Sequence, residues 1–191
     1  MRFYTADTHF GDQRCMSSCH RPFTSLEEMR TQMMDRWNTV VTPADTVYHL
    51  GDVGTCPNLL LKWILQRLNG YKVLVRGNHD KHLTHDFWKK LGFKESWDNI
   101  EMEIGGKKCL LRHEPLEIKK IPAGIHVVVC GHIHNIRPAP PKNLCISVEL
   151  TNYMPLAEQQ LIDLMKVVPK KYTTTSTTKG TEEHGHRTLA C

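Results

Sequence analysis

Short apolar runs recur along this chain, each four or five residues long and bounded by polar or turn residues. Runs of this length that are rich in β-branched and aromatic side chains are typical of buried strands. They predict strands at residues 2–6, 46–50, 71–75, 109–112 and 126–130.

Longer segments between the first runs carry apolar residues at the spacing of an amphipathic helix. Residues 24–41 predict one helix, which could begin with a capping box at either Thr24 or Ser25. Residues 57–69 predict a second helix, because they open with a proline and end at a glycine. Residues 85–91 predict a shorter third helix.

The second half of the chain is dominated by strand patterns. Residues 100–104 and 107–112 flank a Gly-Gly pair, which predicts a β-hairpin. Residues 144–148 predict a late strand and residues 155–165 a closing helix. The apolar side of that helix would carry Leu156, Leu161, Leu164 and Met165. Together these elements predict two β-sheets packed face to face, with helices outside.

The composition fits one globular domain followed by a polar tail. The chain has 191 residues, of which 40% are apolar and 24% charged, as in ordinary globular domains. Beyond residue 168 the sequence becomes Thr-rich and has too few apolar side chains to form a core. We therefore expect a domain at residues 1–167 and a disordered Thr-rich tail at residues 168–191.

Charge and cysteine usage indicate where the protein works. The formal net charge of +5 suits a protein that handles anionic phosphates, but it does not require nucleic acid as a partner. No apolar stretch reaches the ~18 residues of a membrane helix, and the N-terminus lacks the apolar region of a signal peptide. Seven scattered cysteines fit a reducing compartment. We expect a cytoplasmic protein that binds no membrane.

One cysteine spacing invites a different interpretation. Cys15, Cys19 and His20 are spaced as in some zinc sites. Structural zinc sites usually have a second ligand pair, and none stands nearby in the sequence. A zinc site at this position is therefore disfavoured.

Five polar clusters follow the apolar runs: D-T-H at 7–9, G-D at 51–52, G-N-H-D at 77–80, H-E-P at 113–115 and G-H-I-H at 131–134. Since most of them follow a predicted strand directly, their side chains should converge on one crevice at the carboxyl ends of the strands. Carboxylates, imidazoles and one amide suit Mn²⁺, Fe or Zn²⁺ better than Mg²⁺. The candidate metal ligands are Asp7, His9, Asp52, Asn78, His113, His132 and His134.

In order and without a gap, the five clusters resemble the calcineurin-like metallophosphoesterase pattern D-x-H, G-D, G-N-H-[DE], H and G-H-x-H. The chain is also similar to the small single-domain bacterial and phage members of that superfamily over about residues 1–165. F-Y-T-A-D-T-H-F-G at 3–11, R-P-F at 21–23 and N-Y-M-P at 152–155 carry this closer likeness. The resemblance implies a four-layer αββα sandwich, in which helices flank two mixed β-sheets.

The same resemblance implies a centre with two divalent ions. Asp7, His9, Asp52 and His134 would bind one ion, and Asn78, His113, His132 and Asp52 the other, so that Asp52 bridges them. Mn²⁺ is the favoured metal, with Fe, Zn²⁺ and Ni²⁺ as alternatives. Two such ions activate a bridging water as hydroxide and clamp the oxygens of an in-line displacement.

Further residues are candidates for contact with the substrate. By the resemblance, His79 would protonate the leaving oxygen, the alternative being a structural histidine. Arg14, Arg21, Arg76 and Arg137 are candidate phosphate contacts, although Arg76 equally fits an ordinary ion pair. His49, inside a predicted strand, is expected to be a core histidine.

Two departures from the family bear on the substrate. Ser/Thr protein phosphatases carry G-D-x-x-D-R, but here Thr55 and Cys56 replace the second Asp and the Arg, which disfavours that activity. Asp12 stands where many close relatives have a histidine, so their substrates do not transfer directly.

The short intervals between Asn78, His113 and His132 leave no room for a cap domain, so the cleft should be open. An open cleft favours a small phosphodiester, such as a nucleotide or cyclic nucleotide. The alternatives are a phosphomonoesterase acting on nucleotides or sugar phosphates, a nuclease, and an inactive scaffold of the same fold. A scaffold is disfavoured because every ligand and His79 are present. The sequence indicates no oligomeric state.

Overall fold

The computed structural model describes residues 1–169 and contains two β-sheets. The first sheet comprises β1 (Arg2–Thr5), β2 (Thr46–His49), β3 (Tyr71–Val75), β4 (Glu95–Trp97) and β9 (Leu156–Ala157). Its spatial order is β4-β3-β2-β1-β9. The first four strands are parallel to one another, and β9 runs antiparallel to β1.

The second sheet has four strands in chain order, β5 (Ile100–Ile104), β6 (Lys107–Leu111), β7 (Val127–Cys130) and β8 (Asn143–Cys145). The first two form the predicted antiparallel hairpin, with Ile104 opposite Lys107 across the glycine turn. The pairs β6–β7 and β7–β8 are parallel. Both sheets are therefore mixed, as predicted.

Within residues 1–169, five α-helices accompany the sheets: α1 (Gln13–Ser18), α2 (Leu26–Val40), α3 (Asn58–Arg67), α4 (His85–Leu91) and α5 (Glu158–Met165). Of the two candidate start residues for α2, Ser25 is the N-cap, because its hydroxyl accepts from the main-chain N–H of Glu28. No helix within residues 1–169 has the length and apolar character needed to cross a bilayer.

Alternation along the strands divides the apolar side chains between two faces of the first sheet. Phe3, Val47 and Leu74 face the helices and share a core with residues of α2, α3 and α4. Tyr4 and Val75 point the other way, into a core between the two sheets. The other members of that inter-sheet core include Leu50, Ile104, Cys109, Leu111, Val127, Val129, Leu161 and Met165.

The fold class predicted from the sequence, two mixed β-sheets with flanking helices, is confirmed. The outer face of the second sheet is covered differently from the helical side of the first. Leu110 and Val128 pack there against Leu116 and Ile121, which flank a 3₁₀ turn at Ile118–Lys120. The buried side chains of α5 instead join the core between the sheets.

Several local predictions were wrong. Helix α1 and strand β4 were not predicted, because a six-residue helix and a three-residue strand are too short to show a period. Residues 144–148 divide into the end of β8 and a 3₁₀ turn at Val148–Leu150. The closing helix begins later than predicted, since Leu156 pairs with Tyr4 in β9. The predicted domain boundary stays a prediction, and residues 170–191 of the predicted tail lie outside the described residues.

Candidate metal centre

All seven predicted ligands lie in loops that follow β1, β2, β3, β6 and β7, so both sheets contribute to one edge of the molecule. Five of these residues have left-handed backbones, which non-glycine residues adopt rarely and at a cost of about 1–3 kcal/mol each. Their φ angles are 59° at Asp7, 45° at His9, 57° at Asp52, 70° at His132 and 48° at His134. Strained backbone conformations cluster at functional sites, where the surrounding structure holds them in place, so five of them here indicate such a site.

Glycines let the loops after β2 and β3 touch. A Cβ atom on Gly51 would lie 2.4 Å from the main-chain nitrogen of Gly77, and one on Gly77 would lie 2.1 Å from Asp52 Oδ1. Only glycine fits at such a close approach. The glycines of G-D and G-N-H-D therefore bring Asp52 and Asn78 together.

Asp80, the last residue of G-N-H-D, fixes the same two loops. Its buried carboxylate accepts from the main-chain N–H groups of Asp52 (2.7 Å), Val53 (3.1 Å) and Gly77 (2.7 Å). Burial is the largest cause of its pKa lying above the usual value, and the main-chain donors oppose that rise. The structure thus gives Asp80 a positioning role behind the ligands, which the sequence analysis did not assign.

Asp52, His113 and His132 form one candidate ion site, here called the outer group. His113 Nδ1 lies 2.8 Å from the carbonyl of Leu50 and must donate to it, so the neutral ring carries a lone pair on Nε2. That nitrogen lies 3.2 Å from Asp52 Oδ2 and 3.3 Å from His132 Nδ1. Asn78 Oδ1 lies 2.9 Å from the same nitrogen and 3.0 Å from His132 Nδ1. Lone pairs converge here in the way that a bound cation requires.

The surroundings of the outer group favour positive charge. Burial would lower the pKa of His113, but the bond to Asp52 and the charge of Asp7 raise it to about 9. Burial would likewise raise the pKa of Asp52, yet His113 and His9 bring it below its ordinary value. A cation at this point would satisfy both side chains.

Asp7, His9 and His134 form a second candidate ion site, here called the inner group, with one donor atom from each within 4.8 Å of the others. Both ring nitrogens of His9 are buried without a hydrogen-bond partner. Their neighbours are carboxylate oxygens, Asp12 Oδ2 at 3.3 Å and Asp52 Oδ2 at 3.5 Å. Buried imidazole nitrogens that face carboxylates without forming a hydrogen bond fit a metal ion.

One carboxylate faces both groups. Asp52 Oδ2 lies 3.2 Å from His113 Nε2 in the outer group and 3.5 Å from His9 Nε2 in the inner group. This is the position that the resemblance assigned to a bridging ligand. The residues present therefore fit divalent metal ions, and their oxygen and nitrogen donors suit Mn²⁺, Fe or Zn²⁺.

Glu149 is a site residue that the sequence analysis missed. Its Oε1 lies 3.0 Å from His134 Nδ1 and accepts from Arg21 Nε at 2.9 Å, with both side chains of the ion pair essentially buried. Burial would raise the pKa of Glu149, but His134 and Arg21 lower it below its usual value. An acidic residue inside the apolar stretch at 146–150 was the one sequence signal for it.

Arg21 has a different position from the one expected of a phosphate contact. Its guanidinium also donates to the carbonyls of Asp7 at 2.7 Å and Thr8 at 2.8 Å. The side chain is fully enclosed and is not among the residues that line the pocket beside the ligands. In this structure Arg21 braces the loop after β1 and orients Glu149, and its contact with phosphate stays a prediction.

A pocket opens beside the two groups. Its lining includes His9, Asp52, Asn78, His132 and His134 from the predicted ligands. Arg14 and Asp12 of the α1 segment and the partly exposed His79 also line it. His79 Nε2 lies 4.0 Å from Asp52 Oδ2, so this histidine faces the centre without belonging to either group.

The other candidate contacts lie in neighbouring hollows. Arg76 is paired with Asp98 at 2.7 Å and lines a second hollow together with His113, Lys81 and Arg112. Arg137 lines a third hollow that borders His134.

His49 is buried, as expected of a core histidine. Its Nε2 lies 2.9 Å from Thr8 Oγ1, and burial lowers its pKa to about 3. It is absent from the groups of candidate ligands found among residues 1–169.

Comparison with known proteins agrees with this geometry. The family model of the calcineurin-like phosphoesterase superfamily domain matches residues 4–144. An uncharacterised protein of Methanocaldococcus jannaschii is 31% identical over 172 residues, which cover 86% of this chain and 90% of that protein. The gene 66 protein of Mycobacterium phage L5 is 35% identical over 82 residues, 41% of this chain and 39% of that protein. The crystal structure of a protein of unknown function from Aquifex aeolicus superposes with a TM-score of 0.69 at 26% identity, covering 86% of this chain and 98% of that one.

Proposed function

The chain belongs to the calcineurin-like phosphoesterase superfamily, and from that premise we propose that it hydrolyses a small phosphodiester with the help of two divalent metal ions. The superfamily acts on phosphoester bonds and depends on metals. Three parts of the proposal go beyond what the superfamily implies: the number of ions, Mn²⁺ as the favoured metal, and a diester rather than a monoester as substrate.

The observation that carries the proposal is the convergence of lone pairs in the outer group beside the buried His9 imidazole of the inner group, which forms no hydrogen bond. Asp52 faces both groups, so one carboxylate could be shared by two ions. When bound, two such ions would supply a deprotonated water as nucleophile and neutralise charge on the phosphate.

His79 is proposed to donate the proton to the leaving oxygen. Its side chain is partly exposed and lines the pocket beside His9, Asp52 and His134, which are buried. Its main-chain N–H donates to Asp52 Oδ1 at 3.0 Å, which ties its position to the centre. An imidazole at this position can hand a proton to a leaving oxygen that lies beside the centre.

Hollows that contain cationic side chains on two sides of the centre support a diester. The pocket that contains Asn78 and His132 has Arg14 at its rim. The second hollow borders His113 and contains Arg76, Lys81 and Arg112. A phosphodiester bound at the ions would carry one substituent toward each hollow, whereas a monoester would use only one.

The test compares bis-p-nitrophenyl phosphate with p-nitrophenyl phosphate under equal Mn²⁺, with the Asp52→Asn protein as a control for contaminating phosphatases. We expect faster turnover of the diester. A clear preference for the monoester would favour the rival proposal, a phosphomonoesterase on nucleotides or sugar phosphates. No turnover with Mn²⁺, Fe²⁺, Zn²⁺ or Ni²⁺ on either ester would favour an inactive scaffold.

Cyclic nucleotides and short oligonucleotides extend the same assay to the choice of substrate. We propose a small nucleotide-like diester because the described hollows are compact and adjoin the centre. Cleavage of oligonucleotides in preference to cyclic nucleotides would favour a nuclease instead.

We also propose that the protein works in the cytoplasm. The six cysteines within residues 1–169 are all free of disulfide bonds, and four of them are buried in the core or beside the site. Free cysteines of this kind are usual in a reducing compartment.

A further inference from the structure

Two cysteines lie together in the wall of the pocket. Cys15 is on α1 and Cys19 is its C-cap, and a spacing of four residues puts both on the same side of the helix. Their sulfur atoms are 3.9 Å apart. A disulfide would need about 2.05 Å, so the two are separate thiols.

An unsatisfied carboxylate oxygen completes the cluster. Glu149 Oε1 is engaged by His134 and Arg21, whereas Oε2 is buried and has no hydrogen-bond partner. The Glu149 side chain is only 1% exposed. Leaving a carboxylate oxygen buried without a partner is costly, and a cation would relieve that cost.

The four side chains are close enough to share one ion. One donor atom from each of Cys15, Cys19, Glu149 and His134 lies within 4.8 Å of the other three. In a tetrahedral site with zinc–sulfur bonds of about 2.3 Å, two thiolates stand roughly 3.8 Å apart. The observed separation of 3.9 Å between the sulfurs matches that spacing.

We propose that Cys15, Cys19 and Glu149 bind a thiophilic divalent ion, with Zn²⁺ as the natural candidate, directly beside the inner group. Glu149 Oε2 provides the oxygen ligand, while Oε1 keeps its contacts with His134 and Arg21. Binding displaces the two thiol protons to solvent. The carboxylate of Glu149 then joins this thiolate site to the inner group through His134.

The structure also shows why the sequence disfavoured this site. His20, the neighbour that completed the zinc-like spacing, is exposed and is absent from the cluster. The missing ligand is Glu149, which is far away in the sequence and reaches the cysteines only through the fold. This proposal is independent of the phosphoester reaction, since it concerns binding of an ion.

The full-length protein is first reduced with a reagent that contains no thiol. It is then titrated with Co²⁺ and, separately, with Cd²⁺. Sulfur-to-metal charge-transfer absorption in the ultraviolet reports only ions bound by thiolate. Ions in the inner and outer groups have nitrogen and oxygen ligands and give no such band. We expect the band in the wild-type protein and its loss in the Cys15→Ser/Cys19→Ser double variant, whereas the variant Cys56→Ser should retain it, because Cys56 is a half-buried cysteine outside the cluster.

A second readout needs no variant. Alkylation of the wild-type protein with iodoacetamide, mapped by mass spectrometry, should slow about tenfold at Cys15 and Cys19 when Zn²⁺ is added, because the metal masks the reactive thiolate. Cys56 should react equally fast with and without Zn²⁺. The proposal is overturned if wild-type protein gives no sulfur-to-metal band, if the band survives in Cys15→Ser/Cys19→Ser, or if Zn²⁺ protects neither cysteine. Each of these outcomes leaves the phosphoesterase proposal standing, since that rests on the other ligands.

Discussion

The inner and outer groups are built from the same residue types but are supported in different ways. In the inner group, His134 is hydrogen-bonded to a buried carboxylate that is itself held by a buried arginine. In the outer group, His113 is oriented by a main-chain carbonyl, and His132 is half-buried at the pocket. A carboxylate behind a metal-binding histidine strengthens and orients it. We therefore infer that the inner group holds its ion more tightly, while the outer group exchanges with solvent and meets the substrate.

The largest effect should come from the one residue that both groups share. Asp52→Asn removes the charge that faces His9 and His113, so both ions should be lost and turnover should fall to background on every substrate. Elemental analysis after dialysis and assays with both p-nitrophenyl esters measure this. Asp45→Asn, which alters a carboxylate paired with the N-terminus, is the matched control. Retention of two ions by Asp52→Asn would show that the groups do not share this ligand.

His79→Ala should leave both groups intact and slow the reaction. Because only a proton donor is lost, turnover should fall by about 10²–10⁴ with metal content unchanged. The loss should shrink for a p-nitrophenolate leaving group, which needs no proton, relative to an alkoxide. Equal losses on both leaving groups would instead indicate that His79 binds phosphate, and a loss of metal would place it among the ligands.

Glu149→Gln should weaken metal binding in the inner group and leave metal binding in the outer group unchanged. The inner group should bind Mn²⁺ about 10–100-fold more weakly, because the carboxylate behind His134 is gone. The outer group should keep its affinity. The buried Arg21 would also lose its counter-charge, which should cost roughly 3–5 kcal/mol of folding stability. Mn²⁺ titration followed by electron paramagnetic resonance and chemical denaturation measure the two effects.

Glu158→Gln is the control for this variant, because it breaks a partly exposed pair with Arg2 far from the centre. Glu149→Asp keeps the charge and should recover part of the Mn²⁺ affinity. If Glu149→Gln weakened both groups equally, the difference between them would not come from the support behind His134.

The mildest loss of activity is expected from substitutions of the arginines that line the hollows around the centre. Arg14→Ala removes a cation from the pocket mouth and should raise KM about fivefold, the ~1 kcal/mol typical of a solvent-exposed charge contact, with kcat and metal content little changed. Arg137→Ala, in the hollow beyond His134, is the comparison. A larger rise in KM for Arg137→Ala than for Arg14→Ala would indicate that the substrate binds on the Arg137 side of the centre.

The two groups also differ in how far the sequence predicts them. Their ligands stand in short motifs directly after apolar runs, so local pattern and strand ends suffice to bring Asp7, Asp52 and His113 to one edge. Glu149 has no such motif, because its function depends on the packing of Arg21 and His134 around it. Arg14 and Arg21 look equivalent in sequence, yet one lines the pocket and the other is enclosed. Burial of a charged side chain depends on tertiary contacts that no local pattern contains.

Dependence on tertiary contacts also explains the errors in the predicted secondary structure. Strand β9 adds Leu156 to the edge of β1, where pairing with Tyr4 outweighs the helical pattern that follows. Helix α1 is held by Asp12 as its N-cap, and Asp12 also faces His9. An element this short is stabilised by its contacts with the site rather than by its own periodicity.

Anomalous diffraction from crystals soaked in Mn²⁺ would show whether two ions bind and whether the inner group binds its ion more tightly. At saturating Mn²⁺ we expect two peaks, one contacted by Asp7, His9, Asp52 and His134 and the other by Asp52, Asn78, His113 and His132. At limiting Mn²⁺ the first peak should have the higher occupancy. A single peak at saturation would contradict the two-ion centre, and preferential filling of the outer group would contradict the role assigned to Glu149 and Arg21.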